Sequence, residues 1–267
     1  MTVLFTCPHC KGQLIREEKR LCCPKGHSFD LARQGYVNLL VGKGGGVHGD
    51  DKEMIRARRD FLNTGHYAPL RDELSALIGR EAPRTLLDAG CGEGYYTEGI
   101  LSALPESAVA GVDISKDALV HAAVRLKGKA QTAVASVYDL PVADGSFEAL
   151  TLLFSPYCKD EYRRVLKKEG LFVMAIPGRR HLFEMKELLY EHPYENEVAE
   201  FSLDGFELFL EKEIAYPMTL EGQALRDLFA MTPYYYRTPK AGKERAQRCE
   251  RLTIGAQFHL LGYRKKG

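Results

Sequence analysis

"LLDAGCGEGYYT", residues 86–97, decides the fold. The apolar run at Thr85–Leu87 passes through Asp88 into three glycines, 90, 92 and 94, before a helical pattern begins at Tyr96. Glycines placed directly after a strand let a ligand approach the backbone at the carboxyl edge of a sheet. Their spacing is G-x-G-x-G, not the G-x-G-x-x-G of dinucleotide enzymes. Asp88 is a candidate to hold a cationic ammonium. Asp113 stands nineteen residues past Gly94 at the end of the next strand pattern, where a carboxylate accepts hydrogen bonds from ribose hydroxyls. A ligand with a ribose, an ammonium and no phosphate to cradle fits S-adenosylmethionine (SAM). Cys91 reads as a small residue that fits the turn, because no histidine lies nearby in sequence to activate it.

Outward from this turn the chain alternates. Strand patterns at 85–90, 108–115, 132–136, 147–156 and 170–178 are separated by helical ones at 96–104, 116–126 and 159–166. That alternation predicts right-handed crossovers and a mainly parallel, Rossmann-like sheet, hence an α/β methyltransferase fold. The tail predicts a helix (181–190), a strand (206–216), a helix (221–231) and a last strand (253–265). Before the turn, two helices are expected at about 52–63 and 68–79. In the commonest form of this arrangement an acid after the third strand pairs with the adenine amino group. Here Ser136 occupies that place and Asp139 is displaced from it, so Ser136 and the Val137 backbone are the adenine candidates.

The amino terminus carries a second pattern, "CPHCKGQLIREEKRLCCPKGH" (7–27). Cys7-x2-Cys10 is followed after twelve residues by Cys23-x3-His27, two turns able to close a tetrahedron around Zn2+. Cys23 is preferred to Cys22 because Cys7-Pro8 and Cys23-Pro24 repeat the same turn, with Gly12 and Gly26 in comparable places. His9 is expected to face solvent. Four protein ligands leave no open position, so the zinc is structural. A module of this size needs the metal in place of a core of its own. The chain thus divides into a zinc-binding module (1–40), a linker with helices (41–83) and a SAM-dependent methyltransferase domain (84–267). Within the linker, VGKGGGVHGDD (41–51) reads as a flexible or active-site segment. Cys23→Ser is expected to cost zinc and methyl transfer while leaving much of the SAM binding.

Composition narrows the class. The 267 residues are 45% hydrophobic and 27% charged, ordinary globular values, with a formal net charge of +1. No apolar run approaches the roughly 20 residues of a membrane span, and MTVLFTCPHC lacks the pattern of a signal peptide, so a soluble cytoplasmic protein without membrane partners is expected. The seven cysteines, four of them within the first 23 residues, argue for a metal rather than disulfides. Basic residues gather at 237–251, where six Lys/Arg face two Glu, and in the zinc module. Phosphate contact and a solvated surface are both open for them.

With the Cys3His module, GHY (65–67), DAGCGEGYYT, SP (155–156), PGRRHL (177–182), FDLARQGYVNLL (29–40) and MTPYYYR (231–237), the chain closely resembles, over essentially its whole length, the RlmA family of bacterial 23S rRNA (guanine-N1)-methyltransferases. The resemblance implies SAM-dependent methylation of a guanine in a hairpin loop of large-subunit rRNA. It also implies a zinc-binding domain that recognises RNA, and a homodimer. Family zinc ligands match Cys7, Cys10, Cys23 and His27. Family SAM contacts match Tyr67, Gly92, Glu93 and His181. Some relatives protect their host against tylosin-type macrolides. Guanine N1 lies on the pairing edge, so the base must come from a loop or be flipped out into a pocket with stacking aromatics. Phe154–Tyr157, Arg179–His181 and Tyr234–Arg237 are the candidate groups, with core packing as the competing reading for the tyrosines. The sequence names no general base; Glu184 is one candidate. A methyltransferase acting on a protein or small molecule is the alternative. A non-catalytic RNA binder is disfavoured by the intact Gly90–Gly94 turn with Asp113.

Overall fold

The computed structural model describes residues 2–40, 51–198 and 200–267. Of the glycine-rich segment expected at 41–51, residues 41–50 lie outside the described residues. Three short strands open the chain, β1 (Ile15–Glu17), β2 (Arg20–Cys22) and β3 (Ser28–Asp30), forming an antiparallel sheet in that order. β4 (Val37–Asn38), α1 (Lys52–Asn63) and α2 (Ala68–Glu81) follow. The alternating region then runs β5 (Thr85–Ala89), α3 (Tyr95–Ala103), β6 (Ala108–Asp113), α4 (Lys116–Leu126), β7 (Ala130–Val134), β8 (Phe147–Leu153), α5 (Lys159–Val165) and β9 (Leu166–Pro177). The tail adds α6 (Phe183–Leu189), β10 (Phe206–Glu221), α7 (Gly222–Ala230), α8 (Tyr234–Arg237), α9 (Lys240–Arg248) and β11 (Arg251–Lys265).

The main sheet has eight strands in the order β10-β11-β9-β8-β5-β6-β7-β4. Strands β4 to β9 in this sheet are parallel, and β11 and β10 pair antiparallel at one edge. From β5 the chain builds outward first through β6 and β7, then on the other side through β8 and β9. The strand order therefore reverses between β5 and β8, and a crevice opens at their carboxyl ends, where ligands of such sheets bind. β5 is buried beyond Thr85 because both its faces are covered: Leu86 packs with the α1, α2 and α3 residues Phe61, Leu74 and Ile100, while Leu87 and Ala89 pack on the opposite face. Asp51 caps α1, its Oδ1 accepting from the Met54 N–H at 2.9 Å, and Ser115 caps α4 in the same way.

Two features depart from the sequence reading. The basic stretch 237–251 contains a helix, α9, whose polar surface gives no apolar stripe to recognise. It is fixed by docking: Arg245 donates to the terminal carbonyls of α6 at Leu188 (2.7 Å) and Leu189 (3.0 Å), and a Cβ on Gly242 would lie 2.2 Å from the Leu189 oxygen. Arg245 is thus engaged within the fold. The second departure is β4. It lies within the first forty residues yet extends the main sheet, with Val37 opposite Ala133 and Asn38 opposite Val134. Val3, Phe5, Cys7, Leu14, Leu21 and Cys23 share one buried cluster with Leu87, Ala110 and Val112 of the main sheet. The zinc module has no core of its own; it completes the core of the larger domain.

Candidate active site and metal centre

At the amino terminus, two backbone turns present the metal ligands. In the first, the Lys11 N–H donates to the Cys7 carbonyl (2.8 Å) and Lys11 adopts φ +57°. In the second, the Gly26 N–H donates to the Cys23 carbonyl (2.9 Å) and Gly26 adopts φ +84°. The residue equivalent to Gly26 is therefore Lys11, not Gly12; Gly12 serves close packing, since a Cβ there would meet Cys10 Sγ at 3.4 Å. The donor atoms of Cys7, Cys10, Cys23 and His27 all lie within 4.8 Å of one another. His27 Nδ1 is 3.4 Å from Cys7 Sγ and 3.3 Å from Cys23 Sγ, and Cys10 Sγ is 3.5 Å from Cys23 Sγ. A tetrahedral zinc with bonds of about 2.0–2.3 Å has ligand–ligand edges of about 3.3–3.8 Å, so the cluster fits Zn2+ and fills its shell. Cys22 stands outside it, its Sγ directed at Ser28 Oγ (3.6 Å). His9 is exposed, as expected, with its ring 5.1 Å from that of His27.

At the carboxyl edge of β5, Gly90, Gly92 and Gly94 all take left-handed φ angles of +83°, +56° and +86°. Their surroundings differ. A Cβ on Gly90 would lie 2.3 Å from Ser155 Oγ, and one on Gly94 would lie 3.3 Å from the Ala122 backbone, so these two allow close packing. A Cβ on Gly92 would meet nothing within 4 Å: this glycine faces open space. The turn is held by the Val112 carbonyl, which accepts from the N–H groups of Gly90 (2.8 Å) and Cys91 (3.0 Å). Cys91 packs against Gly111, and burial pushes its thiol well above the usual range, which fits a packing residue and not a nucleophile.

Asp88 is 1% exposed. Its Oδ2 accepts from Thr97 Oγ1 (2.5 Å) and its Oδ1 from Thr151 Oγ1 (2.9 Å). Burial, against the pull of these two hydroxyls, raises its carboxyl to about 6. The structure thus places Asp88 beneath the turn, tying β5 to α3 and β8. Asp113 is half-buried at the end of β6, accepting from the Gly92 N–H (2.9 Å, Oδ2) and the Ser115 N–H (2.8 Å, Oδ1). These two bonds fix the orientation of the carboxylate at the end of β6, beside the glycine turn. Glu93, beside the open glycine, is buried with Oε1 lacking a partner among the described residues; burial raises its carboxyl, partly opposed by Arg58 and Arg125. After β7, Ser136 is half-buried, its Oγ accepting from the Tyr138 N–H (3.2 Å). Asp139 is exposed and bonded to Lys11 (2.9 Å), which directs it to the zinc module.

Tyr67 and His181, 114 residues apart, meet at 3.3 Å between Tyr67 Oη and His181 Nε2. His181 Nδ1 accepts from the Gln257 N–H (3.2 Å), so in the neutral ring the proton sits on Nε2 and is donated to Tyr67. Burial lowers the His181 pKa to about 3, which keeps the ring neutral at physiological pH. Phe258 packs against both rings, 5.0 Å from Tyr67 and 4.6 Å from His181, and against Phe154 at 5.8 Å. Tyr96 adjoins Phe154 (6.4 Å), its Oη buried with no partner among the described residues. The site therefore combines an open glycine, a buried carboxylate beside it, a half-buried carboxylate at the end of β6 and an aromatic wall, which fits a nucleoside sulfonium such as SAM.

The other sequence candidates are distributed around this edge. Arg179 and Arg180 are exposed and reach Glu195 at 3.9 and 3.0 Å. Glu184 Oε2 accepts from the Gly255 N–H (2.9 Å) and so braces α6 on β11. Tyr234 and Tyr235 pack against the core, while Tyr236 is exposed and donates to Asp51. Thr97, Thr151, Gln257 and Phe258 were not legible as site residues. Phe258 lies opposite Pro177 only because β11 runs antiparallel to β9, a pairing no local pattern announces.

A family model described as "RlmA, N-terminal" matches residues 5–42, and one described as "Methyltransferase domain" matches residues 86–170. A protein of Micromonospora griseorubida named as a 23S rRNA (guanine-N1)-methyltransferase is 34% identical, covering 97% of this chain and 96% of its own. The 23S rRNA (guanine(748)-N1)-methyltransferase of Streptomyces fradiae is also 34% identical, over 85% of this chain and 84% of its own. Among solved structures, the YcgJ protein of Bacillus subtilis shares the fold, with a TM-score of 0.51 at 15% identity over 73% of this chain and 99% of its own. A Cys3His cluster set in one core with a SAM-type glycine turn, and 34% identity to these relatives over 97% and 85% of the chain, place this chain in the RlmA family of 23S rRNA (guanine-N1)-methyltransferases.

Proposed function

We propose that this protein transfers the methyl group of SAM to N1 of a guanine in a hairpin loop of 23S rRNA. The observation that carries the reading is the crevice between β5 and β8, where Gly92 is open and the Tyr67–His181 pair is buried, in a chain whose zinc module shares the same core. SAM would supply an electrophilic methyl on a sulfonium: the bond from N1 to carbon forms as the bond from sulfur to carbon breaks, the thioether S-adenosylhomocysteine is the leaving group, and the N1 proton is released to solvent. The chain's part is alignment and exclusion of water. Gly92 admits the ligand to the backbone, Asp113 takes the ribose, and Glu93 Oε1 gains the donor it lacks among the described residues. Ser136 and the Val137 backbone border the adenine. Asp88 acts from beneath, fixing β5 to α3 through Thr97 and to β8 through Thr151. His181 has one nitrogen accepting from Gln257 and the other carrying a proton, so it positions Tyr67 and takes no proton from the base.

Zn2+ on Cys7, Cys10, Cys23 and His27 is structural, and the module it closes offers Arg16, Lys19 and Lys25 to RNA phosphates. No helix among the described residues is long and apolar enough to cross a membrane. An rRNA substrate sets the place of action in the cytoplasm. We assign a homodimer on the family resemblance; light scattering is expected to give about twice the 30.0 kDa chain mass.

The test is direct. Protein, labelled SAM and unmodified 23S rRNA are incubated, and a primer is extended across the product. Methylation at N1 blocks pairing, so a new stop at a hairpin-loop guanine is expected. Label found only in protein or small molecules sinks the reading.

A further inference from the structure

We propose that Phe154 is the platform on which the target guanine stacks, and so a specificity-determining residue. The inference rests on the guanine-methylation reading above. Phe154 follows β8 at the carboxyl edge of the sheet, with a backbone φ of +56°. Left-handed backbone is unfavourable for a bulky side chain, and such strain persists where the surrounding structure imposes it, often at a ligand site. Burial does not compensate it, because the residue is 47% exposed. The fold spends strain to hold an apolar ring partly in water.

Its surroundings say what the ring is for. The next residue, Ser155, sits so close to Gly90 that a Cβ there would lie 2.3 Å from Ser155 Oγ; the β8 turn rests directly on the glycine turn. On its inner side Phe154 leans on Phe258 (5.8 Å) and Tyr96 (6.4 Å), which adjoin the Tyr67–His181 pair and the glycine turn respectively. The exposed part of the ring therefore stands at the rim of the crevice, where SAM's methyl must meet its acceptor. Phe154 has no polar atom, so an apolar surface is all it offers, and a planar base is the substrate that uses one. Among the described residues, other exposed aromatic rings are otherwise engaged: Tyr236 donates to Asp51, Tyr194 lies under the Lys186 ammonium (4.2 Å), and Phe209, on the edge strand β10, lies under the Arg264 guanidinium (5.1 Å). Tyr138 follows β7, away from the reversal of strand order between β5 and β8.

Three variants test this. Phe154→Gly removes the ring and suits the left-handed backbone. Phe154→Leu keeps apolar bulk without a π face. Phe154→Trp keeps a π face and gives the chain a single tryptophan, whose indole can be excited at the red edge, apart from the 14 tyrosines. The first two are expected to lower kcat/KM on the 23S transcript about 10- to 100-fold, the range for losing one base stack, with SAM affinity by calorimetry within twofold of wild type. Phe154→Trp is expected to stay within a few-fold of wild type. Its indole emission should be quenched by the hairpin mapped by primer extension and spared by the same hairpin with the target base removed. Wild-type kcat/KM in Phe154→Gly and Phe154→Leu, SAM affinity falling in step with methylation, or equal quenching by the abasic hairpin each overturns the proposal. A wild-type enzyme that leaves the transcript unmethylated overturns the function reading, and this inference with it.

Discussion

At the zinc cluster side chains converge; at the glycine turn they are withdrawn. Cys7, Cys10, Cys23 and His27 bring four donors within 4.8 Å of one another, whereas a Cβ on Gly92 would meet nothing within 4 Å. Both sites depend on left-handed turns, at Lys11 and Gly26 in one and at three glycines in the other. A closed site of side chains shapes the fold and leaves no place for a reactant. An open site of backbone leaves that place and asks the rest of the fold to hold it rigid. The two share one core, and Tyr36 of the zinc module packs in one apolar cluster with Cys91 of the glycine turn.

The largest effect is expected at the closed site. Cys23→Ser should abolish stoichiometric zinc, and structural zinc contributes on the order of 10 kcal/mol in small modules. On sequence alone SAM binding was expected to survive. The structure changes that expectation, since β4 pairs with β7 and Cys7, Cys23 and Leu87 lie in one cluster. SAM affinity, measured by calorimetry, should fall together with zinc content. A zinc-free variant that binds SAM like wild type would make the two regions independent.

The glycines give the next largest effects, and of two kinds. Gly90→Ala meets Ser155 Oγ at 2.3 Å with φ at +83°, so thermal unfolding should show a loss of about 3 kcal/mol from overpacking and strain together. Gly92→Ala has strain but no clash, so its stability should fall by only about 1 kcal/mol. Its SAM affinity should nevertheless drop tenfold or more, because the methyl occupies the open face. Unchanged SAM affinity in Gly92→Ala would move the ligand elsewhere.

Beneath the turn, Asp88 sets a pH dependence. Burial raises its carboxyl from 3.8 to about 6 in the folded protein, so the folded state holds this proton more tightly than the unfolded one. Its penalty is absent below about pH 4, grows as pH rises to about 6 and is constant above, amounting to about 2–3 kcal/mol. Asp88→Asn removes it. The difference in unfolding free energy between variant and wild type, in which zinc loss at low pH cancels, should rise in the variant's favour across that window. A flat difference would mean that Asp88 titrates alike in both states.

The contrast also explains what could be read in advance. The zinc ligands and the glycine turn are local, each held within about thirty residues, and their spacing carries their chemistry. The choice of Cys23 over Cys22 was local too, resting on the repeated Cys-Pro turn, and Cys22 indeed faces Ser28. The parallel strands followed from alternation. What was hidden depends on distant pairing: Phe258 reaches Tyr67 through the antiparallel β11, Thr151 reaches Asp88 across the sheet, and β4 joins the zinc module to β7. What Asp139 does instead was equally hidden, because its partner, Lys11, lies 128 residues away.

That last pair supplies the smallest expected effect. Lys11 Nζ and Asp139 Oδ1 are 2.9 Å apart, linking the first zinc turn to the segment after Ser136. Both side chains are more than half exposed, at 61% and 66%, so solvent screens the attraction and the pair should contribute about 0–0.5 kcal/mol. A double-mutant cycle of Lys11→Ala and Asp139→Ala, read by thermal unfolding, should give a coupling within that range that fades with added salt. Neither variant should change SAM affinity more than twofold. Tyr36→Ala, by contrast, removes a buried ring beside Cys91 and should weaken SAM binding several-fold. If instead the ion pair controlled SAM affinity and Tyr36 did not, the two regions would communicate through their surfaces. The shared core would then be a matter of stability alone.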